Sequence, residues 1–88
     1  MEYNIKHVPE NNRFETEVNG MTANAEYHIV GKYLNITHVW VPKPLEGQGI
    51  ASALVKAVYN YTKENNLDIR ASCPFAAIWL ERNTDNKG

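Results

Sequence analysis

The spacing of apolar residues changes once along this chain, just after residue 42, and this change constrains the fold more than any other feature. Before it, apolar and polar residues alternate with a period of two, which is typical of strands. After it, Ile50, Leu54, Val58 and Tyr61 recur at helical spacing within residues 48–65. A strand that leads through a short loop into a helix begins a crossover connection, so the sequence predicts a mixed α/β (α+β) fold.

Four strands are predicted in the first half of the chain. Asn19-Gly20 is the dipeptide best suited to a two-residue hairpin turn, and Gly31-Lys32 offers a second tight turn. Such short connections join antiparallel neighbours, so a four-stranded antiparallel meander is expected. The predicted strands are residues 3–8, 13–18, 21–30 and 33–41.

A fifth strand and a short last helix are predicted after the central helix. Apolar and polar residues alternate over 67–73, and a right-handed crossover places this strand parallel to the fourth. Pro74 suits the first position of a helix. Residues 84–88 are expected to form a frayed tail. The large apolar residues of 75–82 form a stripe of Phe75, Ile78 and Trp79.

Length and charge exclude several classes of protein. Eighty-eight residues suit a single domain over 1–88, and a net charge of −1 argues against nucleic acid as a partner. No stretch of 18 apolar residues is present, so no membrane span is predicted. The first residues lack the apolar core of a signal peptide, which favours the cytoplasm. The single cysteine, Cys73, excludes an internal disulfide, and no metal site is predicted.

Gly47-Gln48-Gly49 leads directly into the predicted central helix. Glycine permits close approach of a ligand to the backbone, and a helix start presents free N–H groups that suit a phosphate. The glycine spacing of a Walker A phosphate loop is absent. The dinucleotide-binding fingerprint G-x-G-x-x-G is incomplete, because Ser52 stands at the position of its third glycine. The antiparallel hairpins that come first also argue against a dinucleotide fold. A flexible turn remains the alternative to a phosphate loop at this point.

The segment VPKPLEGQGIASALV (41–55) resembles the acetyl-CoA signature of the GCN5-related N-acetyltransferases. That six-residue signature has Gln or Arg at its first position, Gly at its fourth, and Gly or Ala at its sixth. Gly49 and Ala51 match it, and Glu46 departs from it. The chain also resembles a minimal subfamily in which Cys-Pro and an aromatic residue follow the fifth strand. The residues on the subfamily pattern are His38, Val41, Pro42, Gly47, Gly49, Ile50, Cys73, Pro74 and Phe75.

The resemblance implies a reduced acetyltransferase fold that uses acetyl-CoA as cosubstrate. It implies that the pyrophosphate binds the N–H groups of residues 48–52, and that the backbones of Val39 and Val41 bind the pantetheine. The carboxylate of Glu46 would repel the pyrophosphate unless it points away or pairs with Lys43. The implied cofactor-binding residues are Val39, Val41, Gly47, Gln48, Gly49, Ile50, Ala51, Ser52 and Phe75.

Two residues are candidates for catalysis. Cys73 at the start of the last helix is either a small buried residue of the core, a transient acetyl acceptor, or a general acid to the departing thiolate. His38 alternates onto the face of Leu34, Ile36 and Trp40, which favours a core position. Its alternative role is to take a proton from the incoming amine or to activate Cys73.

The expected activity is acetyl transfer to an amine, by direct attack or through Cys73. Only residues 9–12 separate the first two strands, where the larger family inserts two helices, so the acceptor side is expected to be open. A small molecule and a peptide lysine fit equally well as acceptor, and the sequence leaves the oligomeric state undetermined. The alternatives are a non-catalytic CoA-binding or acyl-CoA-binding module and a thiol sensor that works through Cys73.

Overall fold

A computed structural model describes residues 3–84, which form one five-stranded sheet with two α-helices on one of its faces. The strands follow one another across the sheet in the order β1-β2-β3-β4-β5. Short 3₁₀ turns at Pro9–Asn11 and Lys43–Leu45 join the longer elements. In chain order these are β1 (Lys6–Val8), β2 (Arg13–Val18), β3 (Met21–Val30), β4 (Tyr33–Trp40), α1 (Ile50–Glu64), β5 (Asp68–Ala71) and α2 (Pro74–Asn83).

The pairing of the strands confirms the predicted meander and crossover. β1 to β4 pair antiparallel, and β5 pairs parallel with β4 after the intervening helix α1. Asn19 and Gly20 both have positive φ, 54° and 78°, as the predicted hairpin turn requires. β1 covers residues 6–8 only, so the first strand is shorter than the predicted range 3–8.

A β-bulge at Thr37 changes the face on which the side chains of β4 lie. Tyr27 pairs with Ile36, whereas the preceding residue Glu26 pairs with His38, so Thr37 has no partner on β3. An extra residue of this kind inverts the alternation that follows it. The prediction that His38 shares a buried face with Ile36 is therefore wrong, and the His38 side chain is exposed.

The core lies between the inner face of the sheet, which carries the helices, and the apolar side of α1. Phe14 and Thr16 are buried as the alternation in β2 predicts. Burial of these apolar side chains is the main term that favours folding. The buried apolar residues are Phe14, Ala23, Ala25, Tyr27, Leu34, Ile36, Leu45, Ile50, Leu54, Val55, Val58, Ala76 and Leu80.

Helix α2 buries a different side from the one that the sequence predicts. Ala76 and Leu80 face the core, whereas Phe75 and Ile78 of the predicted apolar stripe are 42% and 49% exposed. The small side chain of Ala76 is fully buried in the core, and these larger apolar residues face outward. Trp79 lies between the two sides and packs at the margin of the core.

Helix α2 ends at its C-cap residue, Thr84. Thr84 caps α2, since its N–H and its hydroxyl both donate to the carbonyl oxygen of Leu80 at 3.1 and 2.6 Å. The rest of the predicted tail, residues 85–88, lies outside the described residues. Neither α1 nor α2, the helices found between residues 3 and 84, is long and apolar enough to cross a membrane.

Candidate functional site

The loop between β4 and α1 contains two glycines in the left-handed conformation. Gly47 and Gly49 have φ values of 82° and 80°, which residues with a Cβ rarely adopt. A Cβ built at either position would meet no atom within 4 Å. The backbone conformation therefore explains the glycines, and open space remains over the loop for a ligand.

The first turn of α1 presents backbone donors that the helix does not use. The N–H of Ala53 donates to the carbonyl oxygen of Gly49 at 3.0 Å, so the N–H groups before it precede the first helical hydrogen bond. Gly49, the N-cap, provides no side-chain hydrogen bond, and the first turn contains no acidic residue. Free donors at the positive end of the helix dipole suit an anion.

A cavity of about 240 Å³ opens directly over this helix start, and we call it the loop cavity. It brings together several residues that the sequence places at the cofactor: Val41, Gly47, Gly49, Ile50, Ala51, Ser52 and Phe75. Leu45 and Glu46 also line it. Gln48 and Val39, which belong to the same predicted set, do not. The described residues thus fit the pyrophosphate of CoA, because donors, glycines and space coincide.

Tyr3, near the start of the chain, contacts the glycine loop. Its hydroxyl donates to the carbonyl oxygen of Gln48 at 2.5 Å, and the side-chain amide of Gln48 donates to the carbonyl oxygen of Pro44 at 3.5 Å. With its side chain and carbonyl directed to protein partners, Gln48 lies beside the loop cavity rather than in its lining. The sequence contains no signal for the contact of Tyr3, because the two residues are 45 positions apart.

Beside the loop cavity, strand β4 extends past the end of its pairing with β5. The parallel register ends at Ile36 and Ala71, although β4 continues to Trp40. The backbone groups of β4 after Ile36 that point toward β5 therefore have no partner on that strand. Val39 lies in this unpaired part, where the resemblance to acetyltransferases expects a backbone contact with the pantetheine.

Cys73 and His38 lie on different sides of the sheet. Cys73 is the N-cap of α2, as predicted, and its half-buried side chain packs against the core on the helix side. His38 is exposed on the outer face, the face without helices, opposite Glu26. No hydrogen bond joins the two side chains. Their placement does not favour activation of the Cys73 thiol by His38.

Glu46 is exposed at the rim of the loop cavity. Its expected alternative partner, Lys43, does not pair with it: within residues 3–84 the ion pair is that of Arg13 with Glu15, at 3.9 Å. The carboxylate of Glu46 thus has no cation to neutralise it there. It adds a negative charge at the place where the free donors of α1 favour an anion.

The remaining histidines are not part of this site. His7 stacks on Phe14 with ring centroids 4.1 Å apart, and its Nε2 forms a 2.7 Å hydrogen bond with the hydroxyl of Tyr27. Burial lowers the pKa of His7 below its ordinary value, against an opposing effect of Glu10. His28 is exposed. Within residues 3–84, no group of three His, Cys, Asp or Glu side chains is placed to hold a metal ion.

Comparison with known proteins agrees with this geometry. The family described as GCN5-related N-acetyl-transferase matches residues 13–87. The chain is 28% identical to Protein NATD1 of Mus musculus and to that of Xenopus tropicalis, over 90% of this chain and 74% and 75% of theirs. An NMR solution structure of a GCN5-like N-acetyltransferase candidate from Staphylococcus aureus superposes with a TM-score of 0.72 and 38% identity. That superposition covers 91% of this chain and 79% of the other.

Proposed function

Because the chain belongs to the family of GCN5-related N-acetyltransferases, we propose that it binds acetyl-CoA in the loop cavity and transfers the acetyl group to an amine. The observation that carries the proposal is the coincidence of three features at one place. The uncapped start of α1 and the two left-handed glycines line the loop cavity, and the unpaired end of β4 leads into its lining at Val41. Together they provide donors for the pyrophosphate and a free strand edge for the pantetheine.

In this proposal, residues in and beside the loop cavity bind different parts of acetyl-CoA. The N–H groups of residues 50–52 bind the pyrophosphate, and Gly47 and Gly49 let it approach the backbone. The unpaired backbone of Val39 and Val41 binds the pantetheine in the manner of an added strand. Phe75, 42% exposed at the rim, packs against the apolar part of the ligand.

Acetyl-CoA supplies the acetyl group as a thioester, and the chain supplies binding and proton transfer. His38, exposed on the outer face, accepts a proton from the incoming ammonium, so that the free amine attacks the carbonyl carbon. The carbon–sulfur bond then breaks, Cys73 donates a proton to the departing sulfur, and the nitrogen loses its second proton, which restores the Cys73 thiol. The products are the N-acetyl amine, the thiol form of CoA and one proton. In the alternative route the Cys73 thiolate attacks the thioester and releases CoA as its thiolate, and the amine then attacks the acetylated Cys73 and releases the Cys73 thiolate.

The acceptor amine approaches the site from the outer face of the sheet. His38 and Trp40, 50% exposed, lie there after the bulge at Thr37. Both helices pack on the inner face, where Ala76 joins the core formed by α1. Between β1 and β2 the described chain has only the turn Pro9–Asn11, so this outer face stays open.

The test is incubation of the protein with acetyl-CoA and a panel of amines that includes a polyamine, free amino acids and a lysine peptide. Release of the CoA thiol and the mass of the acetylated product are followed together, and binding is measured separately by calorimetry. Binding with product formation supports the proposal. Binding without any product would favour the CoA-binding module, and absence of binding would contradict both.

A further inference from the structure

Strand β5 leaves one of its two edges unpaired. Within residues 3–84 the strands at the ends of the sheet are β1 and β5, so β5 pairs with β4 on one side only. The N–H of Asp68 donates to the carbonyl oxygen of Lys32, which precedes β4, at 2.8 Å. Because backbone groups alternate between the two edges of a strand, Ile69 and Ala71 direct their N–H and C=O groups away from β4. We call this free side of the strand, with the backbone groups of these two residues, the β5 edge.

The side chains along the β5 edge carry opposite charges two residues apart. Ile69 and Ala71 pack at the margin of the core. The alternating residues Asp68 and Arg70 therefore lie on the outer face, and both are exposed. Neither takes part in an ion pair within the described part of the chain. The guanidinium of Arg70 lies 3.9 Å from the centre of the ring of Tyr33, and such a contact at an exposed site is too weak to keep Arg70 from a carboxylate.

A cavity of about 370 Å³ opens beside the β5 edge. The half-buried Leu67 and Ile69 line it, as do Tyr59 and Lys63 of α1. Half-buried apolar side chains beside an open strand edge gain further burial when another strand covers them. The β5 edge thus offers a partner strand both free backbone groups and apolar area.

We propose that the β5 edge pairs with the β5 edge of a second copy of this chain, antiparallel and with Ile69 opposite Ile69. In this register the two Ile69 residues exchange N–H···O=C hydrogen bonds. Asp68 of each copy then lies opposite Arg70 of the other, so that two ion pairs form across the two-fold axis. The charge pattern of the β5 edge is therefore complementary to itself.

The same charges exclude the neighbouring registers. A slip of two residues is the smallest that keeps the free backbone groups facing each other. Such a slip places Arg70 opposite Arg70 in one direction and Asp68 opposite Asp68 in the other, and like charges directly opposite each other are destabilising. A strand that carries only one sign of charge would also be repelled at one of the two positions. The pattern therefore favours a second copy of this chain in a single register.

The test is sedimentation equilibrium over a range of protein concentrations, with circular dichroism to verify that each variant is folded. The wild type should approach twice the monomer mass with a dissociation constant on the order of 100 μM, because so short an edge buries little area. Asp68→Arg and Arg70→Asp should each weaken the association about tenfold, since each places like charges opposite one another at two positions. An equimolar mixture of these two variants should associate as tightly as the wild type, because every such position then joins opposite charges again.

Glu17→Arg is the matched control, because Glu17 is also exposed on the outer face but lies on β2. It should associate like the wild type, and so should the double variant Asp68→Arg/Arg70→Asp, which exchanges the two charges within one chain. A wild type that stays monomeric at about 1 mM would overturn the inference. Single variants that associate as tightly as the wild type would also overturn it, as would a mixture that associates no more tightly than either variant alone.

Discussion

The backbone N–H of Cys73 donates to the carbonyl oxygen of Ile36 at 3.3 Å, which ties the start of α2 to the last residue of β4 that pairs with β5. The N–H of Ser72 donates to the same oxygen at 3.1 Å. The side chain of Cys73 thus begins where the two strands separate. Because the backbone fixes this position, removal of the thiol tests its chemistry without displacing the strand end.

If the thiol takes part in acetyl transfer, Cys73→Ala should lose most of its turnover and keep its affinity for CoA. The pyrophosphate and pantetheine contacts proposed above come from backbone groups, which the substitution leaves in place. Loss of a half-buried sulfur should lower the free energy of unfolding by roughly 1 kcal/mol. Turnover and melting temperature are measured on the same preparation, and mass spectrometry of the wild type with acetyl-CoA alone looks for an acetyl group on Cys73.

Ser72→Ala is the control for Cys73→Ala, since the exposed Ser72 hydroxyl accepts a hydrogen bond from Asn35 and lies next to the thiol. It should leave turnover unchanged. Full activity per folded molecule in Cys73→Ala would exclude the thiol and leave direct attack by the amine.

His38→Ala should slow acetyl transfer by about a hundredfold if the imidazole takes the proton from the acceptor. The loss should shrink as the pH approaches the pKa of the amine, about 10.4 for a lysine side chain, where the acceptor loses its proton unaided. A pH profile of turnover measures this. His28→Ala removes another exposed histidine and should have no effect. A pH-independent loss in His38→Ala would contradict the role of base.

The position of His38 also shows where prediction from the sequence stops. Alternation in β4 correctly identifies Leu34 and Ile36 as buried, because each side chain contributes its own hydrophobicity. The bulge at Thr37 depends on the register of β4 with β3, so the sequence of β4 alone does not predict it. One unpaired residue therefore moves His38 and Trp40 from the expected inner face to the outer face.

The loop cavity was predictable because its determinants are local. Gly47 and Gly49 signal positive φ directly, and the helical spacing that follows them marks the start of α1. The contact of Tyr3 with Gln48 and the outward position of Phe75 depend on how distant elements pack. In α2 the small Ala76 is buried and the larger Phe75 and Ile78 are exposed, whereas hydrophobicity alone favours burial of the larger residues.

Glu46→Arg should tighten CoA binding about two- to fivefold at low salt, because it replaces a repulsion at the rim of the loop cavity with an attraction. The gain should shrink as salt rises, since exposed charges are screened over about 8–10 Å. Calorimetric titration with CoA at two salt concentrations measures it. Glu64→Arg, the same change in charge at the far end of α1, should give no gain. An unchanged affinity of Glu46→Arg at low salt would mean that this carboxylate does not face the ligand.

Gly49→Glu should abolish the stabilisation of the fold by acetyl-CoA. In the wild type a ligand at a hundredfold excess over its dissociation constant adds about 2.7 kcal/mol to the free energy of unfolding. Gly31→Glu is the matched control, because Gly31 also has positive φ and open space around it but lies in the β3–β4 hairpin. Both variants should lose stability without ligand, and thermal unfolding should show a ligand shift in Gly31→Glu only. A full shift in Gly49→Glu would place the ligand elsewhere.

The stability of the fold should fall below about pH 6.5 because of His7. Burial among the rings of Phe14, Tyr27 and Tyr61 lowers the pKa of His7 below its ordinary value of 6.5, and Glu10 opposes this only in part. Between the lowered value and 6.5 the unfolded chain binds more protons than the folded one. The stabilisation is therefore complete above this window and is lost as the pH falls through it.

His7→Phe keeps the aromatic contacts and removes the titration. Urea unfolding between about pH 5 and about pH 7.5 should give a smaller rise of stability with pH in this variant than in the wild type. At the upper pH the variant should be less stable by about 1–3 kcal/mol, because the hydroxyl of Tyr27 loses its partner at 2.7 Å. His28→Gln, which changes an exposed histidine, should keep the slope of the wild type. Equal slopes for His7→Phe and the wild type would show that His7 is not the group that titrates.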